Sequence, residues 1–176
     1  STFDNGISDD IFEKIVACIR VAVPYTGMII STRESKACRE RVLRLGVSQI
    51  SGGSRTSVGG YAEEEPEEEN SAQFQVVRWL MELGYIPSFC TACYREGRTG
   101  DRFMSLCKSG QIQNCCHPNA LMTLKEYLED YAAPGTKEIG EKLIQAEIGS
   151  IPKEKVQEIV RKNLVEIEKG QRDFRF

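Results

Sequence analysis

Three cysteines in this chain have the spacing of metal ligands. Cys90 and Cys93 lie in the stretch SFCTACYREGRTGDRF, and Cys116 follows Cys93 by 23 residues, within NCCHPN. Thiolates are soft ligands that bind zinc, copper(I) or iron–sulfur clusters, and a Cys-x-x-Cys loop presents two of them to one centre. The pattern predicts a three-thiolate site with no evident fourth protein ligand. A group bound there would keep one position for a small molecule.

Three chemistries fit these residues. A closed zinc site would use Cys90, Cys93, either Cys115 or Cys116, and His117, which is the only histidine in the chain. A thioredoxin-type dithiol fits poorly, because residues 94–97 predict a loop where that motif has the start of a helix. A four-iron, four-sulfur cluster on three cysteines would leave one iron free. The following arginines and glycines suit an anionic cluster, although a solvated loop would also contain them: Arg95, Arg98, Arg102, Gly97 and Gly100.

The composition is typical of a globular protein from a reducing compartment. The chain has 176 residues, of which 40% are hydrophobic, and a formal net charge of −3. Seven cysteines, an odd number, without a secretory signal predict free thiols and a cytoplasmic location. The chain has no apolar run of 18 residues and no basic stripe. We therefore expect neither a membrane nor a nucleic acid as partner.

The first 61 residues predict alternating helices and strands. Ser8 and two following aspartates indicate the start of a helix, and residues 34–45 predict a second helix between short strands at 27–31 and 47–51. This order is typical of parallel βα units, but two strands cannot close a barrel of eight. Residues 1–61 are therefore predicted to be a partial (β/α) barrel wedge. Its exposed apolar edge predicts a homo-oligomer or partial disorder.

The remainder of the chain predicts a loop, a linker and a helical domain. Residues 51–61 form a glycine-rich loop at the carboxyl end of a strand, which indicates either a ligand loop or a flexible turn. Residues 62–72 include EEEPEEEN and predict an acidic linker rather than a carboxylate metal site. Residues 73–176 show helical spacing, with a capping box from Thr123 to Glu126 and Pro152 just inside the last helix. The predicted fold class is α/β, with barrel elements followed by a mostly helical C-terminal domain.

Four segments resemble a single enzyme family: GMIISTRES, SQISGGSRTSVGGY, PSFCTACYREGRTGDRFM and NALMTLKEYLEDYA. Together they closely resemble the C-terminal part of the di-iron hydrogenase maturation tyrosine lyase. That enzyme belongs to the radical S-adenosylmethionine family and is related to the thiamine-pathway 2-iminoacetate synthase. The thiamine enzyme shares the Ser-Arg-Thr to Gly-Gly-Tyr region but lacks the cysteine string, which is the most specific part of the resemblance.

The resemblance implies a lyase that uses two clusters. In the family, a (β/α)8 barrel carries a four-iron, four-sulfur cluster that cleaves S-adenosylmethionine and starts the cleavage of tyrosine between Cα and Cβ. The C-terminal domain holds an auxiliary four-iron, four-sulfur cluster with an extra iron bridged by a free cysteine molecule. There the glycine fragment becomes CO and cyanide for the hydrogenase cofactor, with a hydrogenase maturation scaffold protein as partner.

The resemblance also implies roles for individual residues. Cys90, Cys93 and Cys116 match the family's CX2CX22C auxiliary ligands, because 22 residues separate the last two. The other cysteines are then structural thiols: Cys18, Cys38, Cys107 and Cys115. Ser31 and Arg33, assisted by Ser51, are implied to hold the carboxylate of the amino-acid substrate, because an arginine fork suits that task.

The chain departs from the family pattern in two respects. The radical-initiating CX3CX2C motif is absent, and His117 does not correspond to the family's barrel histidine. The sequence also starts without a methionine. We therefore expect this chain to be a fragment of the lyase that binds the auxiliary cluster and is inactive alone. A fragment of a thiamine-type enzyme is disfavoured by the cysteine string.

Overall fold

The structure, a computed structural model, describes residues 6–52 and 72–176, with the backbone alone for residues 72–74. The chain divides into two compact units, Ser1–Gln73 and Phe74–Phe176. Each unit has its own hydrophobic core. Within the described ranges, no helix combines the length and apolarity needed to cross a bilayer.

The first unit alternates helices and strands in the predicted order. Its elements are α1 (Asp9–Ala22), β1 (Ile29–Ser31), α2 (Lys36–Arg44) and β2 (Gln49–Ser51). Ser8 caps α1 by accepting a hydrogen bond from the backbone N–H of Ile11. The two strands are parallel, with Ile30 opposite Ile50. The described residues include only these two strands, so the expected barrel is not part of what the structure shows.

The core of the first unit is small. Its buried side chains are those of Val16, Ile30, Cys38, Val42 and Val47. The Arg20 guanidinium fastens the loops around this core by donating to the backbone carbonyls of Pro24, Thr26 and Gly46, at 2.9, 2.8 and 2.6 Å. The isoleucines along the other face of α1 stay exposed: Ile11, Ile15 and Ile19.

The second unit is helical, as the sequence predicts. It contains α3 (Ala72–Glu82), α4 (Ala92–Arg95), α5 (Gly100–Lys108), a 3₁₀ helix (Gln111–Asn114), α6 (Cys116–Asp130), α7 (Pro134–Ile148) and α8 (Glu154–Glu168). Helix α6 is central and packs against α7 and α8. Its leucines Leu121, Leu124 and Leu128 are fully buried. The core therefore surrounds the helix that begins with Cys116.

Two local predictions for this unit are wrong. The capping box at Thr123 is not a helix start, because α6 already runs from Cys116 and the Thr123 hydroxyl donates to the carbonyl of Asn119 at 2.9 Å. Pro152 lies outside α8, which begins at Glu154. The proline that does open a helix is Pro134, at the start of α7.

A buried lysine joins the three long helices of this unit. Lys125 on α6 is 2% exposed. Its ammonium lies 3.0 Å from Glu129 and 2.7 Å from Glu168, and it also pairs with Glu141 on α7. Burial alone lowers the pKa of a lysine, but hydrogen bonds to these carboxylates outweigh that effect and raise the pKa of Lys125. The ammonium therefore stays charged inside the bundle.

Candidate metal centre

Cys90 and Cys93 are positioned by a short turn of helix. Cys90 lies in the irregular segment before α4, where its backbone N–H donates to Ser88 Oγ at 3.3 Å. The backbone N–H of Ala92 donates to Cys90 Sγ at 3.4 Å, an arrangement that stabilises a sulfur carrying negative charge. Cys93 lies in α4, a single helical turn, so the loop expected directly after it begins only at Glu96.

After Cys93 the chain reverses direction through backbone conformations that favour glycine. The N–H of Arg98 donates to the carbonyl of Cys93 at 2.8 Å and closes the turn. Gly97 and Gly100 have φ angles of 59° and 55°, in the left-handed region that favours glycine. The two glycines therefore shape the backbone that follows Cys93.

Cys116 is presented by the start of the central helix. It is the first residue of α6, and Cys115 is the residue at the N-cap position. The N–H of Asn119 donates to the carbonyl of Cys115 at 3.1 Å. Cys116 therefore stands on the most firmly packed helix of the unit, whereas Cys90 and Cys93 stand on a loop and a single turn.

The structure brings the three predicted thiols together. Burial, the largest cause, and proximity to Cys93, Cys90 and Cys115 together raise the pKa of Cys116 to about 11. Cys93 also hydrogen-bonds to Cys116. All four sulfur-bearing residues are half-buried. Cys115 thus lies near the site as well, and proximity alone does not exclude it as a ligand.

The three thiols do not all lie within 4.8 Å of one another. In residues 6–52 and 72–176, the one group of three candidate ligands whose atoms all lie within 4.8 Å of one another is Glu129, Glu141 and Glu168, which surround Lys125. The sulfurs of Cys90, Cys93 and Cys116 do not form such a group. At least one pair of these sulfurs is therefore farther apart than 4.8 Å.

The arginines near the thiols have mostly local partners. Arg95 pairs with Asp173, and Arg102 donates to the carbonyl of Glu96 at 3.2 Å. Arg98 donates to the carbonyl of Phe176, but its Nε is buried without a hydrogen-bond partner. Among these three arginines, Arg98 therefore has a buried N–H that could donate a hydrogen bond to a neighbouring anion.

His117 lies beside α7. Its Nε2 is 3.4 Å from a carboxylate oxygen of Glu147, outside hydrogen-bond geometry. A closed zinc site would require this imidazole to complete the set of ligands. Because its Nε2 lies beside the Glu147 carboxylate, His117 is poorly suited to be the fourth ligand.

These residues fit an anionic metal–sulfur group. Three half-buried thiols converge, a backbone N–H already points at one sulfur, and a buried guanidinium N–H follows in the same loop. N–H donors of this kind stabilise the negative charge of clusters held by thiolates.

The predicted substrate residues also meet, within the first unit. Ser31 and Ser51 end the parallel strands β1 and β2 and lie opposite each other. The backbone N–H and the Nε of Arg33 both donate to Ser31 Oγ, each at 3.2 Å. The exposed guanidinium therefore lies at the carboxyl ends of the strands, where parallel folds bind ligands. Most of the glycine-rich loop (53–61) and of the acidic linker (62–71) lies outside the described residues.

Sequence reasoning did not single out Asn119 or the tail, residues 171–176. Phe174 and Phe176 pack against the core of the second unit, while the residues between and before them bond to the cysteine loop. The alternation in RDFRF was a signal of a chain with one buried face. The tail is irregular backbone, so helix periodicity could not reveal it.

A match to a protein-family model defines the class of this chain. The family model described as the biotin and thiamin synthesis associated domain matches residues 1–95. The chain belongs to this family. Among curated proteins, none matches.

Solved structures are similar over almost the whole chain. One is described as HydG, a maturase of the FeFe-hydrogenase; it is 54% identical over 99% of this chain, with a TM-score of 0.88. A second is the FeFe-hydrogenase maturase HydG from Carboxydothermus hydrogenoformans, which is 35% identical over 93% of this chain, with a TM-score of 0.66. The resemblance to the hydrogenase maturation family is confirmed. The chain spans 39% and 35% of the length of these two solved chains.

Proposed function

We propose that this chain is the C-terminal portion of a cytoplasmic radical S-adenosylmethionine tyrosine lyase that makes CO and cyanide for assembly of the hydrogenase cofactor. Its own part is to bind the auxiliary four-iron, four-sulfur cluster through Cys90, Cys93 and Cys116. The observation that carries the proposal is the convergence of these thiols in a chain 54% identical to a hydrogenase maturase.

The set of ligands favours a cluster over a zinc ion. A structural zinc site is closed by four protein ligands, so zinc on these three thiolates would need His117 or Cys115 as the fourth. The Nε2 of His117 instead lies 3.4 Å from a carboxylate oxygen of Glu147. A four-iron, four-sulfur cluster needs only the three thiolates and leaves one iron free.

When bound, a cluster held by three thiolates supplies one iron that is open to small ligands. The residues of this chain have simpler tasks. The three thiolates would hold the group, the Ala92 N–H would offset part of its negative charge, and partial burial would limit access of water. Thiols must lose their protons to bind metal, and bound metal in turn lowers the pKa of each thiol.

The rest of the proposed enzyme lies outside this chain. S-adenosylmethionine, its own four-iron, four-sulfur cluster, tyrosine and a free cysteine molecule are proposed ligands of the whole protein, with a maturation scaffold protein as partner. We propose that the first unit contributes the last elements of the (β/α)8 barrel, residues 1–61. Ser31, Arg33 and Ser51 would hold the amino-acid carboxylate there, because they meet at the carboxyl ends of β1 and β2. Residues 73–176 would form the cluster domain.

Anaerobic reconstitution with ferrous iron and sulfide tests the cluster assignment. The chain should become brown, with broad visible absorption and about four irons per chain. Cys90→Ala and Cys93→Ala should lose the iron, whereas Cys18→Ala, at an exposed thiol on α1, should retain it. A colourless protein that holds one zinc ion per chain would contradict the proposal.

A second pair of variants identifies the third ligand. Cys116→Ala should lose the iron, and Cys115→Ala should keep it. Full iron in Cys116→Ala together with loss in Cys115→Ala would move the assignment to Cys115 and leave the cluster itself in place.

A further inference from the structure

The backbone of one residue, Phe176, joins the two cysteine-bearing segments. The carbonyl of Phe176 accepts hydrogen bonds from the Arg98 guanidinium and, at 3.4 Å, from Asn119 Nδ2. The N–H of Phe176 donates to Asn119 Oδ1 at 2.9 Å. Arg98 lies five residues after Cys93, and Asn119 lies three residues after Cys116. The backbone of Phe176 is therefore held between the two arms of the thiol site.

Both residues whose side chains hold the Phe176 backbone are tied to a cysteine by main-chain hydrogen bonds. The N–H of Arg98 donates to the carbonyl of Cys93, and the N–H of Asn119 donates to the carbonyl of Cys115. Asn119 is 2% exposed, so its amide makes these hydrogen bonds away from water. A buried hydrogen bond that loses its partner is costly, because water does not replace it.

The hydrogen bond between Cys93 and Cys116 is lost when both thiols bind metal as thiolates, and the remaining contacts between the arms are sparse. Helices α4 and α6 make little direct contact with each other. Upstream of Cys90, the Phe89 ring stacks on Tyr127 of α6, with centroids 4.9 Å apart and planes 14° from parallel. Downstream, Arg95 pairs with Asp173 of the tail, and Arg175 pairs with Glu96 at 3.2 Å. The tail therefore supplies the connection on the downstream side of the cysteine loop.

We propose that Asn119 is a positioning residue for the metal site. Together with Arg98 it holds the Phe176 backbone, and this arrangement fixes the separation between Cys93 and Cys116. The inference rests on the proposed function, because the separation of the thiols matters only if they bind one group. Without the Phe176 connection, the loop that carries Cys93 moves away from α6 more easily. A bound cluster then dissociates faster, although its three ligands are intact.

The test measures iron release from the full 176-residue chain after anaerobic reconstitution. A ferrous chelator is added to the reduced protein, and the rate of iron transfer is followed by absorbance. Asn119→Ala should release iron about 10- to 100-fold faster than the unaltered chain, in the range typical of lost outer-shell partners of metal ligands. The electron paramagnetic resonance spectrum of the reduced cluster should broaden, because the ligands become less uniformly placed.

The variant Arg98→Gln tests the connection through Phe176 independently. It removes the other donor to the Phe176 carbonyl from a half-buried position, so it remains informative if Asn119→Ala does not fold. The double variant should release iron no faster than the faster single variant, because both substitutions break one connection. Rates that multiply in the double variant would mean that Arg98 acts on the cluster directly, and this outcome would overturn the shared role.

Two matched controls lie on α8. Gln157→Ala removes an amide that donates to the carbonyl of Ile151 at 2.9 Å, a bond of the same kind at the α7–α8 connection. Arg161→Gln alters an exposed arginine whose guanidinium reaches Gln157. Both should release iron at the unaltered rate. Thermal unfolding of each apoprotein separates a general loss of stability from a loss confined to the site.

Two results overturn the inference and leave the proposed function standing. One is release from Asn119→Ala at the unaltered rate, and the other is equal acceleration in Gln157→Ala. In both cases Cys90→Ala still fails to retain iron. Retention of iron by Cys90→Ala would instead contradict the proposed function itself.

Discussion

The two units of this chain differ in how completely they bury their apolar side chains. Among the described residues, the second unit has a core of eleven buried side chains centred on α6, and the first has five. On α1 of the first unit, Ile11, Ile15 and Ile19 are 49%, 43% and 43% exposed. The second unit therefore has the apolar burial that makes a fold self-sufficient, and the first has only part of it.

The difference matters for where the chemistry is placed. Cys116 begins α6, whose leucines form the centre of the larger core. The cysteine loop connects to the same helix through Tyr127 and, by way of Phe176, through Asn119. The thiols therefore rest on the unit that carries its own stability. Ser31 and Arg33 rest on a two-stranded sheet that has a smaller core behind it.

The largest expected effect is on independent folding. A chain of residues 74–176 should unfold in one cooperative thermal transition and should still bind iron on reconstitution. A chain of residues 1–73 should lack such a transition, because the five core side chains in its described part bury too little apolar area to offset the loss of chain entropy. Far-ultraviolet circular dichroism during heating measures both. A sharp transition in residues 1–73 would contradict the comparison.

The next largest effect should follow loss of the buried ammonium. In Lys125→Met, three carboxylates remain within 4.8 Å of one another without the cation between them. Removing one partner of a buried ion pair costs about 3–5 kcal/mol, and we expect the lower end because Glu168 reaches solvent. Urea unfolding measures the change. Lys142→Met breaks an exposed pair with Glu138 and should leave the free energy of unfolding unchanged.

The same network sets the pH dependence of the second unit. Burial alone would raise the pKa of Glu129, but hydrogen bonds from Lys137 and Lys125 lower it below its usual value. A lowered pKa stabilises the folded state above the unfolded value and loses that contribution as the pH falls through the folded value. The raised pKa of Lys125 gives a contribution that is lost only in strong alkali. Unfolding free energies measured from pH 7 to pH 3 should therefore fall on the acid side.

Local signals in the sequence predicted most of the helices and strands. Ser8 begins α1 as expected, and Gly46, Gly84 and Gly110 follow helix ends with φ angles of 96°, 81° and 73°. Each of these features depends on a few neighbouring residues, so the sequence contains the information. The prediction from the capping box was wrong because that motif depends only on residues 123–126, whereas α6 begins upstream of them, at Cys116.

The candidate site was predictable only in part. The spacing of Cys90, Cys93 and Cys116 indicated a shared centre, and the structure brings these thiols together. The spacing could not show that the Phe176 backbone connects the two arms, because its hydrogen bonds join residues 57 and 78 positions apart. The burial of Lys125 was equally hidden, because its three partners lie on three different helices.

A substitution at Gly140, where α7 packs closely on α6, should have a smaller effect on stability. A Cβ added to Gly140 on α7 would lie 2.4 Å from Leu128 Cδ1 and 2.7 Å from Cδ2, and Leu128 is fully buried. Gly140→Ala should therefore destabilise by about 1–3 kcal/mol, despite the better helix propensity of alanine. Gly149 has open space and a φ of −64°, so Gly149→Ala should be neutral or stabilising. Equal stability of both variants would contradict close packing of α7 on α6.

The smallest effect is expected on the exposed face of α1, and it is the sharpest test of the contrast between the units. Ile15→Gln should change the free energy of unfolding of this chain by less than about 0.5 kcal/mol, because the side chain is 43% exposed. Val16, the next residue, is 7% exposed and packs in the core, so Val16→Ala should cost about 1–3 kcal/mol. The glutamine should also reduce any self-association, measured by sedimentation at several concentrations. If Ile15→Gln instead destabilises as much as Val16→Ala, the isoleucines of α1 are buried in solution. The contrast in apolar burial between the two units would then be wrong.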